Sequence, residues 1–132
     1  MSRELPPESP GRALAGSWHV NLSKSRRPPA NLFRDATLQF SVKDDVVTVA
    51  DVVVDESGRT ERNANTLVAD GRQRAQHYGY AITARWITTR HLRAALTKDG
   101  EPRGHVDYQV AADGRTLTLT TSDGVILFDR VQ

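Results

Sequence analysis

Tyr78, Tyr80, Trp86 and Tyr108 are four of the five tryptophan and tyrosine residues in the chain, and alternation along the sequence puts all four on inward-facing positions. An aromatic ring that ends in a hydroxyl or an N–H suits the wall of a small-molecule cavity, because its face supplies apolar contact and its tip orients the guest. The same rings also serve plain core packing. Phe40 and Phe128 lie in phase with their apolar neighbours and complete the expected ligand-binding set. Arg62 is in phase with Ala64 and Thr66. Its planar fork is therefore expected to point inward and grip a carboxylate, phosphate or enolate oxygen. The competing reading is a rim arginine paired with an acid, since unpaired buried charge is costly. Arg85 is out of phase with the tyrosines and is expected to face water. His77, beside Tyr78, is the candidate proton shuttle, because imidazole titrates near neutrality; a solvated turn histidine is the alternative. His77, Tyr78 and Arg62 are the candidate catalytic groups.

Several chemistries find no residues to carry them. There is no cysteine, which excludes disulfides, thiolate ligands and thiol catalysis. His19, His91 and His105 fall on outward positions, and no histidine pair has metal-ligand spacing. No nucleophile elbow, phosphate loop or dinucleotide fingerprint occurs, so no metal and no cofactor is expected. The carboxylates Asp44, Asp45, Asp55 and Glu56 sit in turns, where side-chain-to-backbone hydrogen bonds account for them. A net charge of +2 is no footprint of nucleic-acid binding. No apolar run approaches the roughly 20 residues a membrane helix needs. The opening residues lack the apolar stretch of a secretory signal, and a cytoplasmic location is expected.

The elements that must position these residues read as short strands. Asp-Gly pairs at 70–71, 99–100, 113–114 and 123–124, with Ser57-Gly58, supply the positive φ values that tight hairpins require. Between them, period-two alternation predicts strands near 16–22, 35–43, 46–54, 60–69, 77–88, 90–98, 103–111, 116–121 and 125–131. Without helices to cover its edges, such a meander most simply closes on itself. The expected fold is an all-β, up-and-down antiparallel barrel of eight to nine strands, spanning 14–132 behind a loose, proline-rich arm at 1–13. The run from Val46 to Val54 is apolar on both faces, so alternation alone leaves its register open. Arg26-Arg27 and Pro28-Pro29 suggest a stiff lid over one mouth.

The stretch Leu14-Ala15-Gly16-Ser17-Trp18-His19-Val20-Asn21-Leu22-Ser23-Lys24-Ser25 resembles the opening of lipocalin-like, calycin-type barrel domains found in many bacterial proteins. The likeness continues through Pro28-Pro29, the run from Asp113 to Thr120 and the ending Phe128-Asp129-Arg130, covering about 14–131. It implies that Trp18 is covered by Arg130, closing the barrel floor through a cation–π contact. Such relatives carry several tyrosines on their third and fourth strands, where Arg62, Ala64 and Thr66 stand here, and often an export signal.

Three functions are compatible with this reading. The first is a binding barrel that takes up a hydrophobic or aromatic metabolite through the end near Tyr78 and the lid at 26–33. The second is a cofactor-independent cyclase or isomerase of natural-product biosynthesis, working by confinement and leaving no motif. The third is a structural or self-associating domain, such as a homodimer joined through the two-faced valine strand. The expected partner is a small hydrophobic or aromatic ligand, with neither nucleic acid nor membrane.

Overall fold

The computed structural model describes residues 9–26 and 33–131. Of the expected lid only Arg26 and Phe33 fall within these, and residues 1–8 of the arm lie outside them. Among the described residues ten strands form one antiparallel sheet: β1 (Gly16–Arg26), β2 (Phe33–Lys43), β3 (Val46–Asp55), β4 (Thr60–Val68), β5 (Asp70–Ala75), β6 (Tyr80–Thr88), β7 (His91–Lys98), β8 (Glu101–Val110), β9 (Thr116–Thr121) and β10 (Gly124–Arg130). Each strand pairs with its sequence neighbours except at one place. The order runs β4-β3-β2-β1-β10-β9-β8-β7-β6-β5, so β1 and β10 join while β4 and β5 are left as the two edges of a nearly closed barrel. Closure otherwise satisfies the backbone donors and acceptors that an open sheet would expose.

The strand count exceeds the eight to nine expected because Asp70-Gly71 does not turn a hairpin. Asp70 opens β5 opposite Arg85, and the ladder with β6 is irregular between Asp70 and Gln73. The Asp70 carboxylate accepts the Arg72 N–H at 3.0 Å and Gly71 takes φ +79°. The turn chemistry therefore makes a local kink at a strand start. The reversal comes later, in a short 3-10 turn over His77–Gly79.

The β3 register is fixed by its neighbours. Val47, Val49, Asp51 and Val53 lie opposite Val42, Phe40, Leu38 and Ala36 of β2, whose side chains face the core. Val46 and the alternate residues face outward. Asp51 is thus a carboxylate on an otherwise apolar inward stripe.

One end of the barrel is filled. Trp18 is 0% exposed, its Nε1–H donates to the Leu14 carbonyl at 3.0 Å, and the Arg130 guanidinium lies 4.1 Å from its ring centroid. Arg130 also donates to the carbonyls of Gly114 at 2.8 Å, Ala15 at 3.0 Å and Ala13. Burial pushes this guanidinium below its ordinary range. Within residues 9–13, expected in a loose arm, Gly11 is buried at this end: its N–H donates to the Thr89 carbonyl at 3.1 Å, and the Leu14 and Ala15 N–H groups donate back to the Gly11 carbonyl. Gly11 has φ +85°, and a Cβ there would stand 2.8 Å from Trp86 and Val42. Only glycine lets the chain approach so closely in that conformation.

Candidate functional site

The cavity follows from small residues meeting across strands. Ala84 of β6 pairs with Ala94 of β7, and Ala94 pairs with Val106 of β8. Two methyl groups side by side on the inward face leave room that Leu or Phe would fill. Around them lies a cavity of ≈ 380 Å³, bounded also by Leu38, Val49, Ile82, Leu119 and Tyr108. That volume falls within the roughly 300–1,000 Å³ of small-molecule sites. Its remaining wall is the gap itself, with Asn65, Thr66, Leu67 and Val68 of β4 on one side and Arg74 and Gln76 on the other.

The polar groups converge from both sides. Asp51 faces inward from β3, and the Asn63 amide lies 3.4 Å from its Oδ1. Burial, then the nearby charge of Asp51, pushes the Tyr108 phenol above its ordinary value of 10.0, because both oppose the phenolate. Phe40 meets the Tyr108 ring edge-on at 5.3 Å and holds it in place. Arg74 lies opposite Ile82 on the inward side of β5. Its Nη1 and Nη2 donate to both oxygens of Asp70, at 2.7 and 2.8 Å, and Nη1 also reaches the Arg72 carbonyl at 3.3 Å. That fork-to-fork contact, with the Arg72 N–H, holds the Asp70 carboxyl far below the usual carboxylate range and raises Arg74.

Of the residues expected to line a ligand site, Tyr108 alone borders this cavity. Phe40 and Phe128, each 2% exposed, sit in the core. Trp86 packs against that core beneath Gly11. Tyr80 stands at the start of β6 with Lys98 Nζ 5.1 Å from its ring centroid. Two expectations are corrected. Tyr78 is 89% exposed, because His77 and Tyr78 belong to the turn and not to a strand; Tyr78 takes φ 60°, which breaks the alternation that seemed to include it. His77 is likewise exposed, its ring 6.2 Å from that of Tyr78. Arg62 is exposed and pairs with the outward Val52, so it guards the free edge of β4; the inward set of that strand is Asn63, Asn65 and Leu67, opposite Asp51, Val49 and Val47. Ala64 is on the outer side with it.

The alternation reading missed Asp51, Asn65, Arg74 and Gln76. Asp51 had a signal, being in phase with Val47, Val49 and Val53, but the opposite phase of that strand is equally apolar. Arg74 had none, since its strand was not seen. On the outer wall, Asp107 is only 7% exposed and gathers His91 Nε2 at 2.6 Å, Arg93 Nε at 2.8 Å and His105 Nδ1 at 2.7 Å. Among the described residues no group of three or more histidine and carboxylate side chains is arranged to hold a metal ion, and no helix is long and apolar enough to cross a membrane.

No protein-family model and no curated protein matches the chain. Solved structures do. Wild-type fluorescent protein UnaG aligns with a TM-score of 0.64 at 18% identity, over 92% of this chain and 99% of that one. The Schistosoma mansoni fatty acid binding protein, solved in complex with arachidonic acid, aligns with a TM-score of 0.65 at 13% identity, over 91% and 97%. The REP1-NXSQ fatty acid transporter gives 0.58 at 14% identity, over 90% and 96%. At such identities the likeness is one of fold. The chain shares the nearly closed antiparallel β-barrel fold of these proteins over about nine-tenths of its length.

Proposed function

We propose that the chain is a binding barrel that takes up one small, largely apolar molecule in the cavity behind the β4–β5 gap. The observation that carries this reading is the ≈ 380 Å³ cavity, walled by Leu38, Val49, Ile82, Ala84, Ala94 and Leu119 in a barrel whose other end is packed solid. A protein of this size gains nothing in stability from such a void, since missing contacts cost dispersion energy. The structural relatives support the reading, two of them being named for fatty acids. Neither the wall chemistry nor those relatives favours the cyclase or isomerase alternative. The gap supplies the route in, because β4 and β5 share no ladder hydrogen bonds.

The test is titration with diphenylhexatriene, an uncharged apolar fluorophore, against the full chain and an Ala94→Leu variant. Saturable one-to-one binding is expected. The larger side chain projects into the void, so the variant should fold yet bind about tenfold more weakly or worse, a difference of roughly 1.4 kcal/mol or more. Binding unchanged by Ala94→Leu, or no binding to either protein, sinks the proposal.

A further inference from the structure

We infer that the ligand's polar end is a cation or a strong hydrogen-bond donor, an aliphatic or aromatic amine that pairs with Asp51, and not a carboxylate. The inference rests on the binding reading and narrows it. The cavity wall holds two charged side chains, Asp51 and Arg74, and they differ in what already satisfies them. Arg74 is neutralised: both oxygens of Asp70 accept from it, and Asp70 is held again by the Arg72 N–H. A ligand carboxylate arriving at Arg74 must displace a carboxylate, which exchanges one such pairing for another and leaves Asp70 beside the newcomer. Like charges at close range repel, so the exchange brings little.

Asp51 is in the opposite condition. Among the described residues the ion pairs join His19 to Asp35, Arg74 to Asp70, and His91, Arg93 and His105 to Asp107, and none reaches Asp51. Among the described residues its one side-chain hydrogen bond is the long contact from Asn63, at 3.4 Å. The groups near it are the Tyr108 hydroxyl and the Asn65 carboxamide on the neighbouring strand, neither of which cancels its charge. An anionic head group would meet this carboxylate, like charge against like, inside the cavity. An ammonium would complete it, its remaining N–H groups donating hydrogen bonds to the Tyr108 hydroxyl oxygen and the Asn65 carboxamide oxygen. The apolar wall formed by Leu38, Ile82 and Leu119 then receives the ligand's hydrocarbon.

Dodecylamine, dodecanol and dodecanoate share one chain and differ only in head group, so calorimetric titration of all three at neutral pH, below their aggregation limits, isolates the head-group contribution. The amine is expected to bind about tenfold or more tighter than the alcohol, as fits one hydrogen bond to a charged partner, and the carboxylate weakest of the three. In Asp51→Asn the amine should lose that advantage while dodecanol binds as before. Dodecanoate binding as tightly as the amine, or an amine preference that survives Asp51→Asn, overturns the inference and leaves the binding barrel standing. If dodecanol itself fails to bind, the binding reading falls and takes the inference with it. The wild-type ranking decides the sign alone, so a variant that folds poorly does not shelter the inference.

Discussion

At the scale of single residues, the carboxylate with the most ion-pair partners among the described residues is Asp107 on the outer wall. Burial pushes its carboxyl upward, but the hydrogen bonds from Arg93 and His91, with the charges of Arg93 and His105, outweigh this and hold it below its ordinary value of 3.8. A carboxyl depressed in the folded state stabilises the fold at pH values above its unfolded value. That contribution fades as pH falls through 3.8 and then through the lower folded value, because the unfolded chain takes up the proton first. Asp107→Asn should therefore cost about 1–3 kcal/mol at neutral pH, from weakened charge-assisted hydrogen bonds, and should flatten the acid side of the stability curve. Urea unfolding of both proteins between neutrality and about pH 3 measures this directly. Parallel acid slopes would show that the carboxylate contributes nothing of the kind. The sequence placed His91 and His105 on the outer face by alternation, yet gave no sign that they share one acid. Alternation reports which face a residue takes; it does not report cross-strand pairing, and the ladder that sets Arg93 opposite Asp107 exists only once β7 and β8 have found their register.

At the scale of elements, the pattern was legible wherever one face is apolar and the other polar. The strands holding Trp18, Leu38, Phe40, Ala84, Leu92 and Phe128 all announce themselves by period two. Asp-Gly-Arg-Gln-Arg-Ala does not, because β5 has no apolar face to alternate; it is extended only because β6 offers a ladder. The parity of β4 failed for the same reason. It is mostly exposed, so its phase is set by β3, and reading it from Arg62, Ala64 and Thr66 picked the outer side. The expectation of an inward arginine named the wrong strand, since Arg74 is the one at the cavity. The arm hid its role too, as its last turn, Pro10-Gly11-Arg12-Ala13, carries no large apolar residue before Leu14. That turn makes a sharp prediction. Gly11→Ala forces a methyl toward Trp86 and Val42 from a backbone that side chains rarely adopt. It should cost about 2–3 kcal/mol, from about 1–2 for the left-handed conformation plus displacement of packed side chains. Gly71→Ala also has positive φ but nothing within 4 Å, so it should cost only the conformational part. Thermal unfolding of the two variants would separate packing from conformation; equal losses would mean that the segment before β1 is not packed tightly against Trp86.

At the scale of the whole molecule, the barrel divides into a rigid portion and a compliant one. The filled end, with Trp18, Leu92, Leu117 and Phe128, has the contacts that make opening costly, whereas β4 and β5 each have one hydrogen-bonded neighbour and mostly exposed side chains. Local opening should therefore run through these two edges, where few buried contacts must break. A ligand held behind them touches Asn65, Leu67 and Arg74 and so bridges the edges that the backbone leaves unjoined. Binding to the folded state alone raises stability by RT ln(1 + [L]/Kd), about 2.7 kcal/mol at a hundredfold excess over Kd. For a chain of this length that corresponds to a rise in Tm of roughly 10 °C. The distribution of the effect is as telling as its size. Hydrogen exchange in the free protein should be fastest in β4 and β5, and ligand should slow those amides most while leaving those of β1 and β10 nearly unchanged until global unfolding. Uniform protection across these ten strands would instead mean that the gap is not where the molecule opens, and that a guest must come and go by the end of the barrel where β1 stops at Arg26 and β2 starts at Phe33.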